Sequence, residues 1–194
     1  MMNYNVINIL DMIDSVGEDA VSAALSKFSC LKNLEIEDFI RNNAIDFAKK
    51  KMSITYLVYG DNGKIAGIFT LTHKALKLHN DILSNTARKK IQRYSRIDEQ
   101  TDSFTVSAFL IAQFGKNENF IIDGSLSGSE LMDFTFGVLS AVQHDIGGSL
   151  VYLECEENEK LLNFYSSEPN RFIKFGERYS DEDNVKYIQL FRFI

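Results

Sequence analysis

Three features of the sequence predict a mixed α/β (α+β) fold around one twisted sheet. Residues 53–60 and 64–72 flank Asp61-Asn62-Gly63, a strand-turn-strand signal. Residues 103–115, Ser-Phe-Thr-Val-Ser-Ala-Phe-Leu-Ile-Ala-Gln-Phe-Gly, make a largely apolar run of the kind that fills a sheet centre. Helical periods dominate the first fifty residues, and strands and helices alternate later.

In order along the chain, residues 6–28 read as helical: Val6, Leu10, Ile13, Val21, Leu25 and Phe28 recur at three-to-four-residue intervals, with Gly17 weakening or splitting the helix. Residues 33–50 read as a clearer helix. Ile36, Phe39, Ile40, Ala44, Phe47 and Ala48 form its stripe, and the late lysines suit the helix dipole. The hairpin 53–72 follows. Residues 80–97 are polar and basic and read as a helix with Ile82, Leu83, Ala87, Ile91 and Tyr94 inward. After the strand 103–115 and a connector at 116–123, residues 128–144 read as a helix that Gly147-Gly148 stops. Then come a strand at 149–155, a short helix at 158–166, and two strands at 171–178 and 185–193.

The length, 194 residues, fits one domain able to bury a core without disulfides or metals. Repeats, low-complexity tracts and linkers are absent from the sequence. A net charge of −6 argues against extended nucleic-acid binding, which wants a basic face. Cys30 and Cys155 sit among apolar neighbours and read as buried free thiols of a reducing compartment. Two Cys and three scattered His give no zinc spacing, so no metal is expected. The N-terminus lacks a signal-peptide pattern and the apolar runs are too short to span a bilayer, so a cytoplasmic protein without membrane contact is expected.

Two segments carry chemistry. Gly124-Ser-Leu-Ser-Gly128-Ser129 is a small-residue loop opening an amphipathic helix, where unpaired N–H groups and the helix dipole favour a pyrophosphate. In isolation, Ser127 or Ser129 reads equally as a helix cap. No Gly-Lys-Ser/Thr follows, and the dinucleotide fingerprint is absent. The strand end before this loop, Phe114, Gly115 and Lys116, can offer backbone N–H and C=O groups to an amide-bearing ligand such as pantetheine. The second segment is Asn158-Glu-Lys-Leu-Leu-Asn-Phe-Tyr165. Asn158 reads as an N-cap that a ligand could borrow. Tyr165 reads as a core aromatic by itself, but a phenol with a pKa of about 10 is also a suitable acid for a departing thiolate. Glu154, Glu156 and Glu157 form an acidic turn, solvated or contributing a base. Cys155 is a lesser candidate as an acyl-carrying nucleophile.

The order strand, glycine-containing loop, helix, strand, Asn-led helix, Tyr resembles the GNAT acetyltransferase superfamily over most of residues 30–178. Gly124 and Gly128 match the first and a later glycine of the family's Gly-x-Gly-x-Gly-Ser-x-Leu-Leu loop, continued by Ser129, Leu131 and Met132; Ile121 replaces the leading Arg/Gln and Leu126 the middle glycine. Asn158–Tyr165 resembles the family's Asn-x-x-Ala-x-x-Phe-Tyr element. Phe28-Ser-Cys30 with the helix 33–50, and Gly67-Ile-Phe-Thr-Leu71, resemble a bacterial subgroup with toxin-like members that acetylate aminoacyl-tRNA.

The resemblance implies one GNAT-like domain over residues 1–194, with an N-terminal helical extension (1–29) and a core (30–194) whose mixed sheet is flanked by helices. It implies an acetyl-CoA-dependent N-acetyltransferase that transfers acetyl to a small-molecule or peptide amine by direct attack in a ternary complex. Coenzyme A would lie on Phe114, Gly115, Lys116, Gly124, Ser125, Leu126, Ser127, Gly128, Ser129 and Asn158, with Tyr165 the general acid. Two alternatives stand beside it. One is a non-catalytic acyl-CoA-binding domain. The other is a toxin-like enzyme with aminoacyl-tRNA as acceptor, for which Lys74, Lys77, Arg88, Lys89, Lys90, Arg93 and Arg96 could contact phosphates. A monomer or a homodimer fits either.

Overall fold

The structure is a computed structural model and describes residues 3–120, 126–181 and 184–194. Its strands are β1 (Tyr4–Asn8), β2 (Ile54–Gly60), β3 (Ile65–His79), β4 (Ile97–Asp98), β5 (Ser103–Lys116), β6 (Leu150–Glu156), β7 (Ile173–Ser180) and β8 (Val185–Phe193). They form a mixed sheet in the order β1-β2-β3-β5-β6-β8-β7, with β4 paired to β5. The helices are α1 (Ile9–Val16), α2 (Glu18–Leu25), α3 (Leu34–Asp38), α4 (Ala44–Lys49), α5 (Asn85–Ile91), α6 (Gly128–Ile146) and α7 (Glu159–Ser166). Contacts gather into two compact units: Met1–Thr72 with Ile111–Ala141, and His73–Leu110 with Val142–Ile194.

In the first unit, Ile9, Val21, Leu25, Phe28, Ile40, Ala44, Ala48, Leu57 and Ile68 form the core. Each large side chain removed from water contributes about 1.5–3 kcal/mol. The expected helix 6–28 is only partly present. Tyr4–Asn8 instead pairs antiparallel with β2, from Tyr4 opposite Gly60 to Asn8 opposite Tyr56. The β-branched pair Val6-Ile7 suits a strand, and Asn8 caps α1 by accepting from Leu10 N at 2.9 Å. Gly17, at φ 85°, separates α1 from α2. The expected helix 33–50 forms as α3, a π-helical turn at Phe39–Asn43, and α4. Phe39, at the start of the π-helical turn, meets Phe47 edge-on, 5.3 Å between centroids.

In the second unit, Leu76, Leu78, Leu83, Ala87, Ile91, Phe104, Val106, Ala108, Leu150, Phe175 and Phe191 form the core. β3 continues to His79, well past the expected end at Thr72, because Leu76 and Leu78 alternate inward with exposed Lys77 and His79. The helix expected over 80–97 shrinks to α5. Leu83, Ala87 and Ile91 are buried as expected, whereas Ile82 and Tyr94 are exposed, at 42% and 59%. β6 pairs antiparallel with β8 along its whole length, from Leu150 opposite Phe193 to Glu156 opposite Tyr187. Its parallel pairing with β5 includes Phe109 opposite Val151 and Leu110 opposite Tyr152.

Thr55 and Thr70 are fully buried between β2 and β3, and their hydroxyls share a hydrogen bond of 2.8 Å. Removing one partner strands the other's hydroxyl; removing both does not. Thr55→Val is therefore expected to lower stability by about 1–3 kcal/mol, and Thr55→Val/Thr70→Val to recover most of that loss. Urea denaturation of the three variants measures this.

Candidate functional site

The first unit carries the end of β5 and the start of α6. Phe114 is half-buried, Gly115 buried and Lys116 exposed. Gly115 and Gly67 are positions of close approach. A Cβ on Gly67 would lie 2.8 Å from Leu126 Cδ2, 3.3 Å from Leu131 Cδ1 and 3.3 Å from the Gly115 carbonyl oxygen. Leu126, expected in the phosphate loop, is 1% exposed, and its side chain packs over Gly67. A ligand would have to use the Leu126 backbone. Gly124 and Ser125, together with Ile121, lie outside the described residues.

At the start of α6 stands a capping box. Ser127 Oγ accepts from Glu130 N at 3.1 Å, and Glu130 Oε2 accepts from Ser127 N at 2.8 Å. The bond from Ser127 N, then that from its hydroxyl, hold the Glu130 carboxyl below its usual range. The cap reading of Ser127 is therefore realised, and a carboxylate occupies one N–H of the predicted phosphate loop. Exposed Ser129 and half-buried Gly128 begin the first turn of the helix, where N–H groups lack intrahelical acceptors. The pattern Ser127-x-x-Glu130 was readable in the sequence as a capping signature.

The second unit carries Asn158 and Tyr165. Asn158 is exposed and caps α7, accepting from Lys160 N at 2.9 Å. Tyr165 lies seven residues on, about 10 Å along the helix axis, so one small group cannot touch both. Tyr165 is 6% exposed. Its ring meets Phe164 at 5.0 Å and Phe172 at 5.9 Å, both edge-on. Its carbonyl accepts from Phe172 N at 2.9 Å. Burial first, and then the neighbouring Cys155, push its hydroxyl pKa well above the ordinary phenol value. Burial, with Glu156 adding, pushes the Cys155 thiol up to about 11. A neutral thiol is a poor nucleophile, which weighs against an acyl-carrying Cys155.

The acidic turn has structural partners. Strand alternation puts Glu154 and Glu156 on the face of β6 opposite Cys155. Glu154 Oε2 accepts from Arg178 Nε at 3.0 Å and Nη2 at 2.8 Å, and its Oε1 from Gln189 Nε2 at 2.7 Å. Glu157 pairs with Lys186 at 3.2 Å. Within the basic segment, Arg88 donates to Asn80 O, Leu83 O and Asn85 Oδ1, and Lys90 sits 4.8 Å over the Phe193 ring. Lys74, Lys77, Lys89, Arg93 and Arg96 are exposed.

Among the described residues no group of three or more His, Cys, Asp or Glu is placed to hold a metal. No helix among the described residues is long and apolar enough to cross a membrane. A cavity of about 260 Å³ between α2 and the 41–49 segment is lined by Glu18, Arg41 and Lys49 among others, and by none of the predicted site residues.

The buried thiol and phenol give the fold an alkaline limit. Both pKa values are raised on folding, so both contributions are present at neutral pH; the thiol's is lost as pH rises from the unfolded value, 9.0, toward the folded one of about 11, and the phenol's only from 10.0 upward. Stability is expected to fall over this window, and less steeply in Cys155→Ala, as read from urea midpoints against pH.

No protein-family model and no curated protein matches the chain. Solved structures do. AtaT complexed with acetyl-methionyl-tRNAfMet is 14% identical, with a TM-score of 0.64 over 95% of this chain and 94% of that one. A tyrosine-to-phenylalanine mutant of KacT is 18% identical, with a TM-score of 0.65 over 98% and 94%. AtaTR bound with acetyl-CoA is 15% identical, with a TM-score of 0.59 over 98% and 93%. At these identities the likeness is one of fold, and the fold of this chain is the GNAT fold.

Proposed function

We propose that the chain is an acetyl-CoA-dependent N-acetyltransferase acting by direct transfer in a ternary complex. The observation that carries this reading is Tyr165. It is a phenol on the helix after β6, buried so that it keeps its proton, in a fold shared with AtaTR bound to acetyl-CoA. The neutral amine of the acceptor attacks the thioester carbonyl carbon. The carbon–sulfur bond then breaks, Tyr165 gives its proton to the thiolate sulfur, and the amine proton passes to water, from which the phenol is reprotonated. The backbone of Phe114, Gly115 and Lys116 takes the pantetheine amides. The segment Gly124, Ser125, Leu126, Ser127, Gly128 and Ser129 takes the pyrophosphate, and Asn158 contacts the pantetheine arm. The buried free thiols Cys30 and Cys155 suit a cytoplasmic setting.

The engaged carboxylates bear on the acceptor. Glu154 and Glu157 are held in ion pairs, and exposed Glu156 lies on the face of β6 opposite Cys155, so the amine is best served by arriving already neutral. An α-amino group, with a pKa of about 7.7–8.0, does so far more readily than a lysine at about 10.4. This favours an α-amine acceptor, whether on a small molecule, a peptide or an aminoacyl ester. The aminoacyl-tRNA reading gains from exposed Lys74, Lys77, Lys89, Arg93 and Arg96 and from the AtaT complex with acetyl-methionyl-tRNAfMet. Its acceptor would meet a local basic patch on a chain that is acidic as a whole.

Thiol release over a panel of α- and ε-amines, paired with calorimetry of coenzyme A binding, tests the reading. Turnover with α-amines is expected; binding without any turnover would favour a non-catalytic acyl-CoA-binding domain. Tyr165→Phe should lower kcat by about a hundredfold with little change in acetyl-CoA affinity, and an unchanged kcat would remove Tyr165 from the mechanism. Glu130→Gln takes a negative charge from the start of α6. It is expected to tighten coenzyme A binding about twofold to fivefold if the pyrophosphate lies there.

A further inference from the structure

Resting on the aminoacyl-tRNA form of the proposed function, we propose that the solvent side of α5 and the turn after it bind a single-stranded RNA end, with Lys89, Arg93 and Arg96 on its phosphates and Tyr94 stacked on an unpaired base.

Residues 74–97 hold seven Lys and Arg against one acid, Asp81, and the fold gives these cations different work. Arg88 turns inward. Its guanidinium donates to Asn80 O at 3.0 Å, Leu83 O at 3.4 Å and Asn85 Oδ1 at 3.3 Å, and its Nε is shut off from solvent. Lys90 lies over the Phe193 ring. Lys74 and Lys77 belong to β3, not to the helix. Lys89, Arg93 and Arg96 remain. All three are exposed, and among the described residues no carboxylate pairs with them. Elsewhere Lys49, Lys50 and Arg178 each hold a carboxylate at 2.7–2.8 Å. Asp98, the first acid after Arg96, is engaged locally, accepting from Gln100 N at 2.9 Å and Thr101 N at 3.4 Å.

The helix sets the direction of the free cations. Ala87 and Ile91 are buried in the core of the second unit. At about 100° per residue, Lys89 and Arg93 point to the opposite side, one turn and about 6 Å apart along the axis. The helical turns continue past α5: Arg93 N donates to Lys90 O at 3.1 Å and Tyr94 N to Ile91 O at 2.9 Å. The pair therefore stands on a fixed surface, where two neighbouring phosphates of one strand can be met together.

Cations left unpaired on a chain of net charge −6 mark a place for a polyanion. Two features choose among polyanions. Asn85, Thr86 and Gln92 are exposed beside the cations, so this side of α5 lacks the apolar stripe of a helix that lies on a lipid surface. Tyr94 is 59% exposed between Arg93 and Arg96. An exposed aromatic among cations is a platform for an unpaired base, which a duplex keeps stacked within itself.

The test is fluorescence anisotropy with a labelled single-stranded RNA ending in CCA, and with the same RNA annealed to its complement, across rising KCl. Lys89→Ala/Arg93→Ala is expected to weaken binding of either RNA about tenfold at low salt and to lower the salt slope by about one to two. Tyr94→Ala should weaken the single strand about tenfold, with the slope and the duplex unchanged, and Tyr94→Phe should bind as wild type. Lys49→Ala/Lys50→Ala, which removes two ion-paired charges from the first unit, should also bind as wild type. RNA binding that survives Lys89→Ala/Arg93→Ala, or a preference for anionic vesicles over RNA, overturns the surface. An equal loss on both RNAs in Tyr94→Ala overturns the stacking role. Thiol release from acetyl-CoA with a small α-amine is measured alongside. Release without RNA binding overturns the surface and leaves the acetyltransferase reading standing; RNA binding through these residues without release does the reverse.

Discussion

The end of β5 depends on two backbone positions that carry no side chain. Gly67 admits Leu126 to a distance that a Cβ would forbid, and Leu131 and the Gly115 carbonyl to distances at which a Cβ would be crowded. Gly115 lets Ile36 and Cys30 lie against the strand. Leu126 and Leu131 are the apolar anchors at the start of α6, both essentially fully buried. Where α6 begins is thus decided by packing against bare backbone. The proposed coenzyme site inherits its position from the same contacts.

Strand alternation on β6 does comparable work for Tyr165. Cys155 faces the phenol, while Glu154 turns to the other face and meets Arg178 and Gln189. A carboxylate on the phenol's side would have been a ready proton acceptor. A neutral thiol, with Phe164 and Phe172 around the ring, leaves the hydroxyl in surroundings that disfavour its charged form. The same arrangement makes Cys155 inert.

The capping box at α6 sets a tension within the proposed function. Glu130 is favourable at a helix N-terminus by about 0.3–1 kcal/mol, which is small beside the charge of a pyrophosphate brought to the same N–H groups. The cap orders the helix start, and a bound phosphate would compete with it for Ser127 N. Leu126, where the resemblance expects a glycine, belongs to the same trade: it anchors α6 in the core and removes one flexible position from the loop.

Much of the fold was legible in the sequence, because the hairpin around Asn62-Gly63, the apolar run 103–115 and the stripe of α6 are local patterns with one physical meaning. The Asn158 cap and the helix it opens were legible for the same reason. Residues 4–8 were not, since Val6, Leu10 and Ile13 fit a helical period and only pairing with β2 makes the first of them a strand. The length of β3 was hidden likewise, because His73, Lys74, Lys77 and His79 interrupt the apolar run and hold their extended form as part of the sheet. By itself the sequence determined which residue types stand at the strand ends and helix starts, for that is set by local propensity and period. The tertiary structure alone decided that Tyr165 is buried beside Cys155, that Glu154 is bound to Arg178 and that Ile36 lies on Gly115. Those facts depend on contacts between residues far apart in the chain, which no local pattern records.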